Sequence, residues 1–388
     1  MQYLIILAIF LVPIASIITI KGTIVWYPQL LALQMMGAIC YASMFWRFNK
    51  FISLFLAYLA FSYIYVASAS PRTQMCLLIG YLAIAVTLAV SKLKELKWIY
   101  IALIGMSILS VAYSVLQSFG IDPIFVQIGG GKEDVVSFMG SHNQLGIYSC
   151  ANAFWSPFLI PIAVIPIFFA KCNSALIGLI AGSLIYGYFL YGFKKVGTFL
   201  FAILLLLIPW WSFNHKSSAE ILERFSIWKL TIHQLIEGKI ETSDLSGNKS
   251  VIQGSPFTGF GLGNFFVYSP YSQYEIWGLT KTDPSKIEHF YEHAHNDLVE
   301  AIYEFGYVGF TIIIFCIISV VMVFIKSSKT SGVVLTFSSL VAQSVSSLSV
   351  YIFHAPVSLF MFCLTLGLFY AEVNKNGTNQ SKIKPITT

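Results

Sequence analysis

Val308-Gly-Phe-Thr-Ile-Ile-Ile-Phe-Cys-Ile-Ile-Ser-Val-Val-Met-Val-Phe-Ile325 contains no charged residue. At about 1.5 Å of rise per residue, such a run approaches the ~20 apolar residues that cross a hydrocarbon core. Comparable runs recur at Gln2–Ile20, Leu30–Trp46, Phe51–Ala69, Met75–Val90, Trp98–Val115, Ala175–Phe193, Val196–Trp211, Val333–Val350 and Pro356–Tyr370. The whole chain agrees, with 57% apolar and 10% charged residues and a mean hydropathy of +0.77, outside the range of soluble domains. The expected fold is an all-α polytopic membrane bundle of about 10–12 spans. The first run has no basic leading region and no small-residue cleavage site, so it reads as a retained span.

The six cysteines lie in or at the ends of apolar runs without CxxC spacing, as small hydrophobes do. A formal charge of +6 would point to nucleic acid in a soluble chain. Here the basic residues gather in turns instead, so no nucleic-acid partner is expected. Arg47, Lys50, Lys92, Lys94, Lys97, Lys194, Lys195, Lys326, Lys329 and the tail lysines fall in one alternating set, which the positive-inside rule places in the cytoplasm. The long polar loop then faces outward.

That orientation requires Asn143–Ala170 to return to its own side. The stretch is apolar, interrupted by Pro157, Pro161 and Pro166, and too short to cross twice. Its two readings are a re-entrant broken hairpin and one long tilted helix. The chain thus divides into an N-terminal bundle, 1–211, with the hairpin at 143–170; an external loop, 212–292; C-terminal helices, 293–371; and a cytoplasmic tail, 372–388.

Within the loop, Ala219–Gly238 has helical periodicity in Ile221, Phe225, Trp228, Leu230, Ile232 and Leu235, and reads as an interfacial helix stopped by Gly238. Arg224, one of three arginines, lies on it. It reads either as an anion ligand or as a surface residue paired with Glu220 or Glu223. Gly254-Ser-Pro-Phe-Thr-Gly-Phe-Gly-Leu-Gly-Asn-Phe265 predicts a tight turn able to approach a ligand, with Gly261 and Asn264 as candidate contacts. Next comes Glu288-His-Phe-Tyr-Glu-His-Ala-His-Asn-Asp-Leu-Val-Glu300, where Asn296 or Asp297 can cap the following helix and Glu300 can complete a capping box. His295 is expected just outside that helix N-terminus, whose free amides and dipole suit phosphate. His289, His293 and His295 with Asp297 also permit a zinc reading, weakened by the lack of a cysteine or distant ligand.

His295-Asn296, nine further residues and Gly306-Tyr-Val-Gly309 resemble the hallmark of the O-antigen ligase/O-antigen polymerase superfamily of membrane glycosyltransferases. Three more segments resemble that family in order: Gly140-Ser-His-Asn-Gln-Leu-Gly146, Arg224-Phe-Ser-Ile-Trp228 and Pro256–Phe265. The likeness covers roughly Gly140–Gly309. One departure is Lys171-Cys-Asn-Ser174, where the family often has a Ser-Arg pair.

The resemblance implies a bacterial inner-membrane enzyme with a periplasmic active site. Its donor would be a glycan on undecaprenyl pyrophosphate, its acceptor a glycan or lipid A-core hydroxyl, and it would need no metal or other cofactor. On that pattern His295 is the general base, with His293 second choice, and Arg224 holds pyrophosphate. Asn143, Gly261, Asn264, Asn296 and Lys171 are expected to bind substrate, Lys171 standing in for the missing arginine without its bidentate fork. The rival reading is a transporter or flippase of polyprenyl-linked glycans, disfavoured by the near absence of charges within the runs and of an internal repeat.

Overall fold

A computed structural model describes residues 3, 5–7, 9–10, 80, 83–121, 135–139, 141–192, 218–243, 249–265, 268, 293–353 and 355–380. The expected spans Leu30–Trp46, Phe51–Ala69 and Val196–Trp211 lie outside these residues, as does His289. The described elements are α1 (Lys97–Ser118), α2 (His142–Asn152), α3 (Leu159–Phe169), α4 (Asn173–Tyr191), α5 (Ser218–Glu237), strands β1 (Lys239–Ser243) and β2 (Lys249–Gln253), α6 (Asp297–Lys326), α7 (Ser331–Ser346) and α8 (Pro356–Gln380). Helix dominates. Among the described residues, four helices are long and apolar enough to cross a membrane: α1, α4, α6 and the 357–375 part of α8.

Helix α7 forms the middle of the bundle, with Val333, Val334, Thr336, Ser338, Ser339, Ala342 and Gln343 all buried. It lies close against α4 because Gly178 and Gly182 face it. A Cβ on Gly182 would stand 2.6 Å from the Ser338 carbonyl oxygen. Small residues permit such backbone approach where lipid supplies no hydrophobic drive between helices. Hydroxyls add cross-links: Ser339 donates to the Ala151 carbonyl at 2.8 Å, Ser346 to that of Ser174 at 3.2 Å, and Gln343 Nε2 to Thr365 Oγ1 at 3.1 Å. By contrast, Phe315, Ile317, Ile318 and Met322 on α6 are exposed, the pattern of a face toward lipid or another apolar surface.

Asn143–Ala170 is not one long helix. It forms α2, a 3₁₀ turn over Ala153–Trp155, and α3, with the break at extended Ser156 before Pro157. A residue preceding proline is driven out of the helical region, which is why the chain turns there. Both ends of this hairpin sit at one end of the bundle, since Gly146 near the start of α2 abuts Cys172 and Ala175 beyond α3. The turn reaches the middle, where the Phe154 ring meets Gly182, halfway along α4.

Two expected boundaries move. The run Val333–Val350 stops being helical at Ser346, where the chain is held by Asp297 instead: its N–H donates to the Ser347 carbonyl at 3.0 Å and its Oδ2 accepts from Ile352 N at 2.7 Å. In the other direction, α8 continues through Gln380, into the stretch taken as a tail.

The loop between α4 and α6 has its own core. Helix α5 ends at Gly238, whose φ of 66° suits glycine, and the chain turns into the antiparallel pair β1–β2, a hairpin the loop reading did not anticipate. Ile227, Ile240, Phe260, Phe265, Ala294 and Tyr303 pack together, with Phe260 stacked on Tyr303 at 4.7 Å. Among the described side chains of α5, Ile227, Thr231, Gln234 and Leu235 are buried, whereas Phe225 is exposed. An outward Phe225 is compatible with a helix that lies on a membrane surface.

Candidate active site

Helix α6 is broken at Gly306, whose φ of 62° and ψ of −170° are accessible in practice only to glycine. Such a break strands backbone groups on both sides. The glycine-rich turn takes up four of them: Phe260 N donates to the Tyr303 carbonyl at 3.0 Å and Gly261 N to that of Glu304 at 2.9 Å. Tyr307 N donates to the Pro256 carbonyl at 2.9 Å and Val308 N to that of Phe257 at 3.0 Å. The turn therefore approaches another stretch of backbone, at Gly259 and Gly306, where neither tolerates a Cβ. Gly261 spends its N–H in this clamp, and Asn264 is wholly buried, its Nδ2 donating to the Phe260 carbonyl at 2.7 Å. Both candidates stand in the scaffold beneath the site.

Above the break, Asp297, Glu300 and Glu304 are spaced three and four residues apart, so they share one helical face, and all three are buried. Each fixes a different segment. Asp297 Oδ2 accepts from Ile352 N at 2.7 Å, Glu300 Oε2 from Ala294 N at 3.2 Å, and Glu304 Oε1 from Phe265 N at 3.3 Å. Carboxylates in the first turns also meet the positive end of the helix dipole. The cap itself is Asn296, whose Oδ1 accepts from Leu298 N at 3.0 Å and Val299 N at 3.2 Å. Glu300 does not close a capping box. Its other oxygen, Oε1, lies 2.9 Å from His293 Nδ1.

His295 immediately precedes the cap, at φ 51°. Lys171 has the same φ, and Ser137 is the one other non-glycine residue with positive φ among those described. Left-handed backbone costs a side-chain-bearing residue about 1–3 kcal/mol and persists where neighbours over-determine it. For His295 those neighbours are identifiable. Ala294 is held through its N–H by Glu300 and through its carbonyl by Trp228 Nε1 at 2.7 Å, and Asn296 is held by its cap bonds.

The segment 347–353 closes the site. Tyr351 stacks on the His293 ring at 4.1 Å and meets the His295 ring edge to face at 5.6 Å. Two residues earlier, the Ser349 carbonyl accepts from Arg224 Nη1 at 3.3 Å. Arg224 and Trp228, one turn apart on α5, thus reach the segment that touches His295 and the carbonyl just before it. Gln144 Nε2 donates to the Tyr351 carbonyl at 3.4 Å, and Ser358 Oγ donates to Gln144 Oε1, which brings the start of α2 here too. Asn143 comes with it as Gln144's neighbour, and its carbonyl lies 3.9 Å from Cys172 Sγ, next to exposed Lys171. The structure therefore gathers His295, His293, Asn296, Arg224, Asn143 and Lys171 around one end of the bundle, with Gly261 and Asn264 below. Glu220 and Glu223, the alternative partners for Arg224, lie outside the described side chains.

Sequence reasoning missed Tyr351 and Ser349, because Val350 and Ile352 extend the apolar run across them. The available signal was the serine-rich stretch Ser344–Ser349 before Pro356. Among the described residues, no three His, Cys, Asp or Glu side chains converge as metal ligands. Neither the protein-family models nor the curated proteins contain a match to the chain.

Proposed function

We propose that the chain transfers a glycan from undecaprenyl pyrophosphate to an acceptor hydroxyl, as an O-antigen polymerase or ligase does. The supporting observation is that Arg224 and His295, 71 positions apart in the chain, both touch one short segment, Arg224 at Ser349 and His295 at Tyr351. Three of the four short motifs that suggested the family reach this place, and the glycine-rich turn clamps the helix break below it. In the reaction, an acceptor O–H attacks the anomeric carbon and gives its proton to His295. The bond from that carbon to the pyrophosphate oxygen breaks, and its electron pair leaves with the pyrophosphate. Arg224 meets the developing charge: a guanidinium has five donors, one of which holds Ser349. Lys171 supplies a second positive charge at the same end. The lysine-rich turns support a periplasmic placement of this end, where a lipid-linked donor is presented.

Complementation of surface-glycan assembly in a deletion strain tests the reading. His295→Ala is expected to abolish product with expression intact, and Arg224→Lys to fall at least tenfold because it loses the fork. Normal glycan from His295→Ala would end the proposal. In the same deletion strain, loss of all attached polymer marks a ligase, and a single capped repeat marks a polymerase.

A further inference from the structure

Two histidines flank Ala294, and their surroundings differ. His295 is half-buried, whereas His293 is 2% exposed and its Nε2 is itself buried. Nδ1 of His293 is taken by Glu300 Oε1 at 2.9 Å, and Glu300 is buried too. Tyr351 lies over the His293 ring at 4.1 Å, with 25° between the planes. A base has to come within about 2.6–3.2 Å of the oxygen it deprotonates, or reach it through one water. His293 presents neither nitrogen at the surface, so it is badly placed for that task.

The same contacts suit a different task. Glu300 is fixed on its far side as well, since Oε2 accepts from Ala294 N at 3.2 Å, so the imidazole it holds has a set orientation. That ring is the floor on which Tyr351 lies. Gln144 Nε2 donates to the Tyr351 carbonyl at 3.4 Å and fixes its backbone, and the Tyr351 ring meets that of His295 at 5.6 Å with 65° between the planes. Stacked below and edge to face above are both arrangements that aromatic rings prefer. Glu300, His293, Tyr351 and His295 thus form one row of contacts, running from a buried carboxylate of α6 to the half-buried imidazole.

We infer that His293 is a positioning residue and not a second base: held by Glu300, it props Tyr351 against His295 and thereby sets the direction of the reacting imidazole. The inference rests on the transfer reading for what His295 does. The row of contacts itself does not depend on that reading.

Two substitutions separate the ring from the bond. His293→Phe keeps a ring beneath Tyr351, and His293→Asn keeps a donor for Glu300 without the ring. With the full chain in nanodiscs and a lipid-linked donor, His293→Asn is expected to lower kcat about five- to tenfold, near the worth of one ring contact, with KM little changed. His293→Phe is expected to keep at least about half of the wild-type kcat. Loss of all product in both variants would make His293 a base, and equal kcat in the two would leave its ring without a role; either result overturns the inference. Carbethoxylation of the histidines by diethyl pyrocarbonate at a fixed pH, mapped by tandem mass spectrometry, needs no turnover. In the wild-type chain His295 is expected to react at least about tenfold faster than His293, which reacts only when the site opens. In His293→Asn the His295 rate should rise at least about threefold as the prop is lost. His293 reacting as fast as His295 overturns the inference, as does an unchanged His295 rate in His293→Asn. Should both variants fail to fold, the wild-type comparison of the two histidines decides. A chain that gives the expected labelling but moves no glycan refutes the transfer reading and leaves the prop standing.

Discussion

Replacing Gly306 by alanine should unfasten the loop from the span it feeds. The residue sits at φ 62° and ψ −170°, where a side chain costs about 1–3 kcal/mol. The added Cβ would also stand 2.5 Å from the Phe257 carbonyl oxygen and closer still to Gly259 N, both backbone atoms that no rotamer change can move. Relief requires the glycine-rich turn to withdraw, which weakens the four clamp bonds at about 0.5–1.5 kcal/mol each. Strain and partial loss of the clamp together give about 3–5 kcal/mol. For a chain of 388 residues that corresponds to a fall in Tm of about 4–6 °C. Thermal unfolding of the purified protein, followed by tryptophan fluorescence, measures it. Gly105→Ala is the control, because nothing lies within 4 Å of a Cβ there, and removing a helical glycine should leave the chain as stable or slightly more so. If Gly306→Ala melts with Gly105→Ala, the broken-helix clamp does not hold the loop.

The same contacts make further outcomes testable. Tyr351→Phe should keep near wild-type transfer, whereas Tyr351→Ala should lower turnover up to about tenfold by losing ring contacts of about 0.5–1.5 kcal/mol, as read from kcat on a lipid-linked donor. Equal rates in the two variants would remove Tyr351 from the site. Asp297→Ala should cost about 1.5–3 kcal/mol by thermal melting, the range for a buried bond to a charged group, and Asp297→Asn less, since it keeps an oxygen for Ile352 N. Gly182→Ala should reduce the yield of folded protein on size-exclusion chromatography, because its methyl meets Phe154 and the Ser338 carbonyl.

The range of the forces involved decides which features were legible in the sequence and which were concealed. Apolar runs marked α1, α4 and α6 because lipid-like burial depends on composition alone. A cap at Asn296 or Asp297 and the stop at Gly238 were legible because both act within one turn of helix, and in the structure Asn296 is the cap while Asp297 bonds Ile352. The hairpin remained open between two readings, since three prolines bend a helix or end it according to what packs around them. The close of α7 was hidden for a related reason. Leu348, Val350 and Ile352 keep the run apolar, while the groups that hold it open are Asp297, distant in the chain, and side chains on α2 and α5. His295 and Arg224 could be singled out by residue type and motif, but their meeting place could not, because Tyr351 and Ser349 carry no motif. The glycine-rich turn was read as able to approach a ligand, and in the structure it approaches the backbone of the broken helix.

The three carboxylates of α6 work like teeth cut at a set pitch. Each residue added to an α-helix rotates the remainder of that helix by about 100°. One insertion between Asp297 and Glu304 would therefore swing Glu304 off Phe265 while Asp297 stayed on Ile352, and a single deletion would swing it off in the opposite sense. Divergent sequences that keep this end of the bundle should tolerate no change of length across these eight positions.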